Sequence, residues 1–562
     1  MGNRRLSGLS KPTILIVAFD NLKLEKRGYE MFGKKYNEFL KLMVYQVYPR
    51  SFKDTNGDGV GDLRGIIEKL DYLNELGINA IWICPCYKSP QVDNGYDISD
   101  YRDIEPELGS MDDIKELIEK AHSLGIKILM DLVANHSSSE HKWFKESKKS
   151  KDNPYSDYYY WYDEPQATYG SIWGGSAWEF NEERQQYYLH RYHSRMPDLN
   201  WTNPKVRQEI YDVVDFWSGL GVDGFRCDVI TEISKDFSKN QMGMGPHIHE
   251  YINGLFGRPE AEHLFTVGEC WVWSKEEFCK LTKEDRKELS TMFQFEHILF
   301  GKKKGGYEPQ PQSLTELRDI LIRWQEISYE NDLLYTLFTD NHDQPCFISR
   351  AGDCKNKRYE LATCIAAMFY TLRGIPFIFQ GQEFGTASPH YDSINDFRDI
   401  SALNYYKYNK DELGEKTILE HLNFGSRDNA RRPVAWDDSE YNGFSDVTPW
   451  IPLNSNNKEI NLKKDRESTK SVFEFYKSIL KLRKENDEII YGDLKVLSKP
   501  EDKYWLFERE LDGKKIIICC NFENESEITL PYDSAKLMLS NNIDRKDASC
   551  YYSAYEVAIY RI

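Results

Sequence analysis

The sequence lacks several features that would point to whole classes of protein. No cysteine pair has CxxC spacing, and no cysteine–histidine cluster has the spacing of a zinc site. No apolar run is long enough to cross a bilayer, and the short run Thr13–Phe19 ends at Asp20 without a small-residue cleavage site. The sequence therefore argues against a zinc domain, a membrane span and a secretory signal.

Basic residues are also fewer than acidic ones. The 73 Lys and Arg residues face 91 Asp and Glu residues, which gives a net charge of −18. Such a surface repels phosphate groups, so nucleic acid and anionic membranes are poor candidate partners. The 11 cysteines are an odd number and are scattered, which favours reduced thiols and a cytoplasmic location. We expect a monomer without an organic cofactor.

What the sequence does contain is a repeated pattern of strands and helices. Short apolar stretches alternate with helical ones from Leu42 onward, in a chain of 562 residues. Eight repeated β–α units close into a barrel, so the expected fold class is α/β with a (β/α)8 TIM barrel. The predicted strands are 42–49, 78–85, 126–133, 222–229, 264–269, 291–296, 333–340 and 374–380.

Two stretches do not fit this alternation. Residues 136–204 follow the third strand, are rich in Tyr, Trp, Gly and Lys, and are too long for a connecting loop, so we expect an inserted domain B. Residues 487–562 contain short alternating strands and predict a C-terminal antiparallel β domain. The barrel then comprises residues 42–135 and 205–486, preceded by an N-terminal extension of residues 1–41.

The stretch 54–62 has oxygen-bearing side chains at alternate positions, separated by glycines. This spacing is typical of a calcium loop, although Gly65 stands where an EF-hand has its bidentate glutamate. A solvated turn is the alternative. We expect a structural calcium ion, with ligands from Asp54, Asn56, Asp58, Asp62 and the carbonyl of Val60.

Charged residues follow the ends of four predicted strands, where the chemistry of a barrel is found. A structural role is the alternative for any one of them, but four strand ends of this kind on one rim predict an active site. The segments are Asp131-Leu-Val-Ala-Asn-His136, Gly224-Phe-Arg-Cys-Asp-Val229, Val267-Gly-Glu269 and Asp340-Asn-His-Asp343.

Two carboxylates across a bond are what glycoside hydrolysis requires. Arg226 lies two positions before Asp228 and so on the same strand face, where it is expected to keep Asp228 ionised as the nucleophile. Glu269 has apolar sequence neighbours, which are expected to keep it protonated as the general acid. Asp343 is expected to stabilise positive charge in the transition state, and His136 and His342 to contact sugar hydroxyls.

These four segments resemble the signature regions of the α-amylase family of glycoside hydrolases, and specifically its oligo-1,6-glucosidase and dextran glucosidase branch. The resemblance runs from about Val44 to the C-terminus. It implies the catalytic roles given above for Asp228, Glu269 and Asp343. It also implies that the terminal glucose is bound by Asp93, Tyr96, His136, Arg226, His342 and Arg427.

The resemblance further implies an exo-acting retaining α-glucosidase with an oligosaccharide substrate. In this branch a valine after the nucleophile, here Val229, accompanies preference for α-1,6 bonds; ordinary strand propensity is the alternative explanation. The chain departs from the family pattern at Cys346, where arginine is expected, and at Cys270, where methionine is more usual. Both departures are expected near the pocket.

Four other functions compete with this interpretation. An α-1,4-glucosidase (maltase) of this branch has Thr or Ala directly after the nucleophile, where this chain has Val229. A trehalose-6-phosphate hydrolase would use Lys302–Lys304 to bind phosphate, and a sucrose isomerase would have a different loop at 300–306. A non-enzymatic partner of the transporter heavy-chain type would lack the three carboxylates and carry a membrane anchor, so it is least favoured.

Overall fold

The computed structural model describes residues 32–166, 168–303, 306–522, 524–545 and 549–562. The strands in chain order are β1 Val44–Val47, β2 Ala80–Ile83, β3 Tyr87–Lys88, β4 Asp100–Ile104, β5 Lys127–Val133, β6 Trp161–Tyr162, β7 Trp178–Asn181, β8 Gln186–Leu189, β9 Gly224–Asp228, β10 Phe265–Glu269, β11 Thr291–Phe293, β12 Thr336–Leu337, β13 Ile375–Phe379, β14 Asp493–Val496, β15 Tyr504–Leu511, β16 Lys514–Asn521, β17 Ser526–Glu527, β18 Lys536–Ser540, β19 Tyr551–Tyr552 and β20 Val557–Arg561.

The α-helices alternate with the strands over most of the chain. They are α1 Lys34–Leu40, α2 Leu63–Glu68, α3 Leu70–Leu76, α4 Met111–Ser123, α5 Lys142–Ser147, α6 Pro204–Gly219, α7 Ile248–Phe256, α8 Lys275–Thr282, α9 Leu314–Asn331, α10 Ile348–Ala351, α11 Cys354–Tyr370, α12 Ile400–Leu413, α13 Glu415–Gly425, α14 Leu462–Glu467, α15 Val472–Glu485 and α16 Asp487–Tyr491. Within the described ranges, none of them is long and apolar enough to cross a bilayer.

Eight parallel strands form the centre of the molecule, in the order β11-β10-β9-β5-β2-β1-β13-β12. Threonine side chains link the two end strands: Thr291 Oγ1 donates to the carbonyl of Leu334 at 2.7 Å, and Thr336 Oγ1 donates to that of Met292 at 3.2 Å. Buried aliphatic and aromatic side chains on both faces of these strands make up the core. The predicted (β/α)8 barrel is confirmed.

One strand is shorter than predicted, and one helical segment is divided in two. Strand β12 has two residues, because Asp340 turns the chain away by accepting hydrogen bonds from Thr339 Oγ1 and the Phe347 N–H. The helical segment 63–76 after β1 is divided into two helices, since Lys69 leaves the helical region (φ −101°, ψ 6°) and places its ammonium 4.2 Å from the Trp436 ring.

Helix α1 closes the N-terminal end of the barrel. Tyr36, Phe39 and Leu40 are buried at i, i+3 and i+4, which is the spacing of one helix face. Phe39 packs edge-on against Phe265, the first residue of β10, with ring centroids 5.1 Å apart. Residues 34–40, which the sequence analysis assigned to an extension, therefore belong to the packing of the barrel. Residues 1–31 of that predicted extension lie outside the described residues.

The long segment between β5 and β9 carries its own three-stranded antiparallel sheet, β6-β8-β7, with a small core around Trp178 and Leu189. A bridge between His136 and Asp198 ties its two ends together at the carboxyl end of β5. The segment therefore stands beside the end of the barrel at which the predicted active-site residues emerge.

The last part of the chain is a five-stranded antiparallel sheet in the order β14-β15-β16-β20-β18, as predicted from the alternating pattern. Its inner face packs on α11 of the barrel and on α16. Arg318 on α9 adds hydrogen bonds to four carbonyls of the segment 499–504, which attaches this sheet to the side of the barrel.

Candidate active site

A cavity of about 650 Å³ opens at the carboxyl ends of the barrel strands. It has two layers of predicted residues: a lining layer, and a buried layer behind it formed by Arg226 and His342. The predicted residues that line it are Asp93, Tyr96, His136, Asp228, Glu269, Asp343 and Arg427.

Arg226 sits at the centre of the charged groups. It lies on β9 two residues before Asp228, so both side chains point to the barrel interior. Its Nη1 donates to Asp131 Oδ1 and to Asp228 Oδ1, each at 2.8 Å, and its Nη2 donates to Glu269 Oε2 at 2.6 Å. One fully buried guanidinium therefore binds three carboxylates.

This sharing changes the protonation expected for Asp228. Burial raises the pKa of Asp228 well above its usual value; Arg226 opposes the rise, and the carboxylates of Glu269 and Asp131 add to it. Burial also raises the pKa of Asp131 to about 6, against the effect of Arg226. Arg226 therefore favours the ionised form of Asp228 less strongly than the strand spacing predicts, because one positive charge is divided among three carboxylates.

The surroundings of Glu269 also differ from those expected. Apolar surroundings are predicted for Glu269, but its Oε2 accepts hydrogen bonds from Arg226 and from the Val229 N–H at 3.3 Å, and its Oε1 accepts one from Trp271 Nε1 at 3.1 Å. That prediction was wrong because β9 and β10 are adjacent, which brings Arg226 to the end of β10. The cluster has more acid groups than positive charge, so it retains a proton at mildly acidic pH.

Asp343 has the opposite environment. Arg431 Nη2 lies 2.7 Å from Asp343 Oδ1, Arg427 Nη1 lies 3.4 Å from the same oxygen, and His342 Nε2 lies 3.2 Å from Oδ2. Burial disfavours the charged form, but these three groups more than offset it and hold the pKa of Asp343 far below its usual range. Asp343 is therefore ionised at neutral pH.

Both predicted histidines are neutral, because burial lowers the pKa of His136 to about 4 and that of His342 to about 3. Asn135 Nδ2 donates to His136 Nδ1 at 3.2 Å, so the ring proton sits on Nε2, which lines the cavity and has no protein partner. Gln46 Nε2 likewise donates to His342 Nδ1, and His342 Nε2 lies 2.7 Å from the Tyr96 hydroxyl. His136 can donate to a ligand, whereas His342 positions Tyr96 and Asp343.

An ion-pair network lies on the cavity wall. Arg427 Nη2 lies 3.2 Å from Asp93 Oδ1 and 2.5 Å from Asp399 Oδ1, and its guanidinium lies 5.2 Å from the Trp173 ring. Burial raises the pKa of Asp93 to about 6 although Arg427 and Arg431 oppose it. Sequence reasoning missed Asp399, because it reads as an ordinary N-cap and does cap α12 through the Ser401 N–H.

Val229 directly follows Asp228 in a left-handed conformation, with φ 33° and ψ 40°. A β-branched residue adopts this conformation only at a cost of about 1–3 kcal/mol, which is typical of functional sites. The turn ends β9 one residue before its predicted end and places the Val229 side chain on the cavity wall.

Residues 46–492 match the family model described as alpha amylase, catalytic domain. The chain belongs to the α-amylase family. It is 44% identical to an oligo-1,6-glucosidase of Parageobacillus thermoglucosidasius, with 89% of this chain and 94% of that protein covered. The family resemblance predicted from the strand-end segments is confirmed.

Two solved structures of α-amylase-like proteins superpose on most of the chain. The trehalose-6-phosphate hydrolase of Bacillus licheniformis is 39% identical with a TM-score of 0.87, and covers 93% of this chain and 99% of its own. An isomaltulose synthase mutant of Erwinia rhapontici NX5, solved with its natural substrate sucrose, is 35% identical with a TM-score of 0.87, over 93% and 98% of the two chains.

The two departures from the α-amylase family pattern lie outside the cavity lining. Cys270 is buried in the barrel core, and Cys346 borders a separate small cavity, where Arg432 Nη2 lies 3.5 Å from its Sγ. Lys302 does line the cavity and donates to Gln344 Oε1, and burial lowers its pKa well below the usual value. Lys303 pairs with Glu308, and Lys304 lies outside the described residues.

The predicted calcium loop is held together by its own hydrogen bonds. Asp54 accepts from three backbone N–H groups and from Ser445 Oγ, and Asp62 accepts from Thr55 and from the Gly65 N–H. Asn56 Oδ1 and Asp58 Oδ1 each accept a backbone N–H two residues ahead. In the described ranges no three acidic, histidine or cysteine side chains are grouped to hold a metal. The oxygen donors suit calcium chemically, but Asp54 and Asp62 would have to exchange hydrogen bonds for a metal.

Proposed function

We propose that the protein is an exo-acting, retaining α-glucosidase that hydrolyses α-1,6 bonds at the non-reducing ends of isomaltose and isomalto-oligosaccharides. The observation that carries this proposal is the guanidinium of Arg226, which binds Asp228 and Glu269 together on the wall of one cavity. A retaining enzyme needs its two carboxyl groups about 5 Å apart, whereas an inverting one needs a wider gap for water. Two carboxylates that share one guanidinium favour the short separation.

In the proposed reaction, Asp228 attacks the anomeric carbon while Glu269 gives its proton to the leaving oxygen. The C–O bond of the leaving sugar breaks and a glucosyl ester of Asp228 forms. Glu269, now ionised, takes a proton from a water molecule that attacks the ester and releases glucose with retained configuration. The ionised carboxylate of Asp343 stabilises the oxocarbenium-like charge, and the His136 Nε2–H donates to a hydroxyl of the same sugar.

The closed end of the cavity supports exo-action. The ion pair between Arg427 and Asp93 blocks the cavity beyond one terminal sugar, and both side chains can hydrogen-bond the hydroxyls of that sugar. Tyr96, stacked on His342 with ring centroids 5.3 Å apart, offers a rigid aromatic face to the same sugar. A chain interior cannot enter such a site, so only chain ends are substrates.

The α-1,6 linkage is supported by Val229 on the cavity wall and by relatives named oligo-1,6-glucosidase at 39–44% identity. Hydrolysis of trehalose 6-phosphate is the second candidate, since a relative of that name is 38% identical. Phosphate recognition requires available cations, but Arg191 faces Glu232 at 3.5 Å and Arg427 pairs with Asp399. Burial also lowers the pKa of Lys302 well below its usual value, which disfavours its charged form. The charges of the cavity therefore favour a neutral leaving sugar.

The test is glucose release by the purified protein from isomaltose, maltose, sucrose and trehalose 6-phosphate in parallel. We expect kcat/KM to be highest for isomaltose, with the α-anomer of glucose as first product by NMR. If trehalose 6-phosphate or maltose is hydrolysed faster than isomaltose, the proposed substrate is wrong. If sucrose is isomerised, the proposed reaction is wrong. Inactivity on all four sugars would favour a non-enzymatic role.

We further propose that the loop 54–62 binds one structural calcium ion and that the protein is a cytoplasmic monomer. The calcium proposal is supported by the hard oxygen donors of Asp54, Asn56, Asp58, Asp62 and the Val60 carbonyl in one short loop. When bound, calcium would supply electrostatic cross-linking of the loop. The cytoplasmic location is supported by eleven cysteines that are all free thiols.

A further inference from the structure

Glu232 is a largely buried acidic residue of the cavity that the proposed mechanism does not use. It follows Asp228 by four residues, in the short 3₁₀ helix Ile230–Ile233 after β9, and it lines the same cavity. A carboxylate is costly to bury unless a cation or a hydrogen-bond donor compensates it. A carboxylate on the cavity wall, outside the set that performs the reaction, is therefore a candidate for contact with the substrate.

Two residues of the inserted domain compensate Glu232. Arg191 Nε lies 3.5 Å from Glu232 Oε1, and the Tyr192 hydroxyl donates to Glu232 Oε2 at 3.2 Å. Both residues come shortly after β8, so this contact attaches the inserted domain to the loop that follows β9. Arg191 and Tyr192 also line the cavity, which places the pair within reach of a bound sugar.

Glu232 supplies the counter-charge of Arg191. Among the residues that the structure describes, Arg191 forms a salt bridge only with Glu232. Asp198 accepts from the backbone N–H of Arg191, but its charge is paired with the Lys235 ammonium, 3.0 Å away. Loss of the negative charge of Glu232 would therefore leave Arg191 with an unbalanced positive charge on the cavity wall.

The order of the barrel strands places this ion pair beside the leaving sugar. Strands β9 and β13 lie four positions apart among the eight strands, so the segments after them face each other across the barrel mouth. Arg427, proposed to contact the terminal glucose, belongs to the segment after β13. The proposed general acid Glu269 ends β10, the neighbour of β9. Glu232 therefore lies on the side where the leaving oxygen is protonated.

The charge of Glu232 depends on pH near neutrality. Burial raises the pKa of Glu232 to about 7. Arg191, Lys235 and the Tyr192 hydroxyl oppose this rise, and the Asp198 carboxylate adds to it. Because the ionised form predominates above the pKa, Glu232 neutralises Arg191 at pH 8.

We propose that Glu232 selects the leaving sugar: its carboxylate cancels the charge of Arg191 and so excludes leaving sugars that carry a phosphate group. This inference rests on the proposed function. A phosphate bears up to about two negative charges and binds guanidinium groups through charge-assisted hydrogen bonds, so a carboxylate beside the guanidinium opposes its binding. A neutral hexose requires only hydrogen bonds, and the Glu232 carboxylate can accept one from its hydroxyls.

Trehalose and trehalose 6-phosphate differ only in the phosphate, so the ratio of their Kd values measures the effect of that group alone. Isothermal titration at pH 8 in the Asp228→Asn background gives this ratio without turnover. We expect the phosphorylated sugar to bind more weakly than trehalose. Adding Glu232→Gln, which keeps an acceptor for the Tyr192 hydroxyl, should shift the ratio at least about tenfold in favour of the phosphorylated sugar.

Two controls separate this ion pair from general effects of charge. Combining Glu232→Gln with Arg191→Met removes the unbalanced cation and should abolish the gain; a gain retained in the combined variant would overturn the role of Arg191. Asp215→Asn is the matched control, since Asp215 on α6 pairs with Arg258 at 2.9 Å and neither residue lines the cavity. It should leave the ratio unchanged.

An unchanged ratio in Glu232→Gln would overturn the inference, whereas faster hydrolysis of isomaltose than of trehalose 6-phosphate by the wild-type protein would still support the proposed function. Wild-type preference for trehalose 6-phosphate would overturn both. If Glu232→Gln does not fold, the salt dependence of the ratio in the Asp228→Asn protein is the test. Added NaCl should bring the two Kd values closer together because it screens the repulsion, and a ratio that does not change with salt would overturn the inference.

Discussion

At the scale of single residues, Asp228 and Glu269 share Arg226 but differ in their other contacts. Asp228→Asn preserves the hydrogen bond from Arg226, since the amide oxygen still accepts, but removes the nucleophile. We expect kcat to fall by at least about 1,000-fold with substrate binding retained. Glu269→Gln should lose isomaltose hydrolysis but still release nitrophenol from 4-nitrophenyl α-glucoside in a burst, because that leaving group needs no acid whereas hydrolysis of the ester still lacks its base. Steady-state kinetics and titration calorimetry test both; a fully active Asp228→Asn protein contradicts the mechanism.

Asp131 belongs to the same cluster, and we expect it to influence the pH range of activity. Its carboxylate shares Arg226 Nη1 with Asp228 and adds to the raised pKa of Asp228. Asp131→Asn removes one negative charge, so the pKa of Asp228 should fall and the acidic limb of the kcat/KM profile should move about one unit to lower pH. The exposed substitution Asp112→Asn, at a side chain 94% accessible, should not move this limb. A limb that stays in place or moves upward would contradict the shared-charge explanation.

At the scale of elements, the end of β9 carries Val229, the residue proposed to influence linkage preference. Val229 leaves the strand in a left-handed conformation, so its side chain reaches the cavity wall and its N–H reaches Glu269. Val229→Thr keeps the β-branch and the backbone strain but adds a hydroxyl. We expect the ratio of isomaltose to maltose kcat/KM to fall about tenfold. An unchanged ratio would reject Val229 as the residue that determines linkage.

Helix α1 stabilises the opposite end of the barrel without contacting the cavity. Phe39 is 7% exposed and packs on Phe265, so Phe39→Ala should lower the free energy of unfolding by about 3 kcal/mol through the cavity it leaves. Chemical denaturation measures this change. Lys41→Ala, in the exposed C-cap of the same helix, is the control and should change stability by less than about 0.5 kcal/mol. A loss of kcat in folded Phe39→Ala protein would contradict a purely stabilising role.

At the scale of the whole molecule, the loop 54–62 joins the start of the barrel to the segment before the C-terminal sheet. The Trp450 N–H donates to the Gly59 carbonyl at 3.0 Å, and Ser445 Oγ donates to Asp54 at 2.6 Å. Gly59 has φ +88°, and an added Cβ would lie 2.5 Å from the Thr448 carbonyl, so only glycine fits this contact.

Removal of calcium should therefore loosen a contact between distant parts of the chain. We expect EGTA to lower Tm by several degrees and added calcium to restore it, because a ligand bound only to the folded state stabilises it. The substitution Asp58→Asn should weaken this response to calcium. A Tm that changes with neither EGTA nor calcium would contradict the metal proposal. The loop would then be stabilised by its hydrogen bonds alone.

Much of the fold and the site could be predicted along the chain. The eight strands repeat one apolar pattern, so their existence was predictable. Strand β12 ends early because Asp340 accepts hydrogen bonds from Thr339 and Phe347, which no periodicity reports. Helix α1 was missed because one turn of apolar spacing in a basic stretch is a weak signal. Arg431 was missed as a site residue because it reads as ordinary surface charge, and Asp399 because it reads as an ordinary N-cap, until Asp343 and Arg427 are brought beside them.

The sequence by itself determined the barrel, the family and the carboxylates that line the cavity, because strand periodicity and strand-end position are local properties. Only the tertiary structure decided how those carboxylates are charged. The adjacency of β5, β9 and β10 brings Asp131, Asp228 and Glu269 to one guanidinium, that of Arg226. Asp343 instead pairs with two other guanidinium groups, those of Arg427 and Arg431. Electrostatic energy depends on distance through space and on burial, and neither is written in the spacing of residues along the chain.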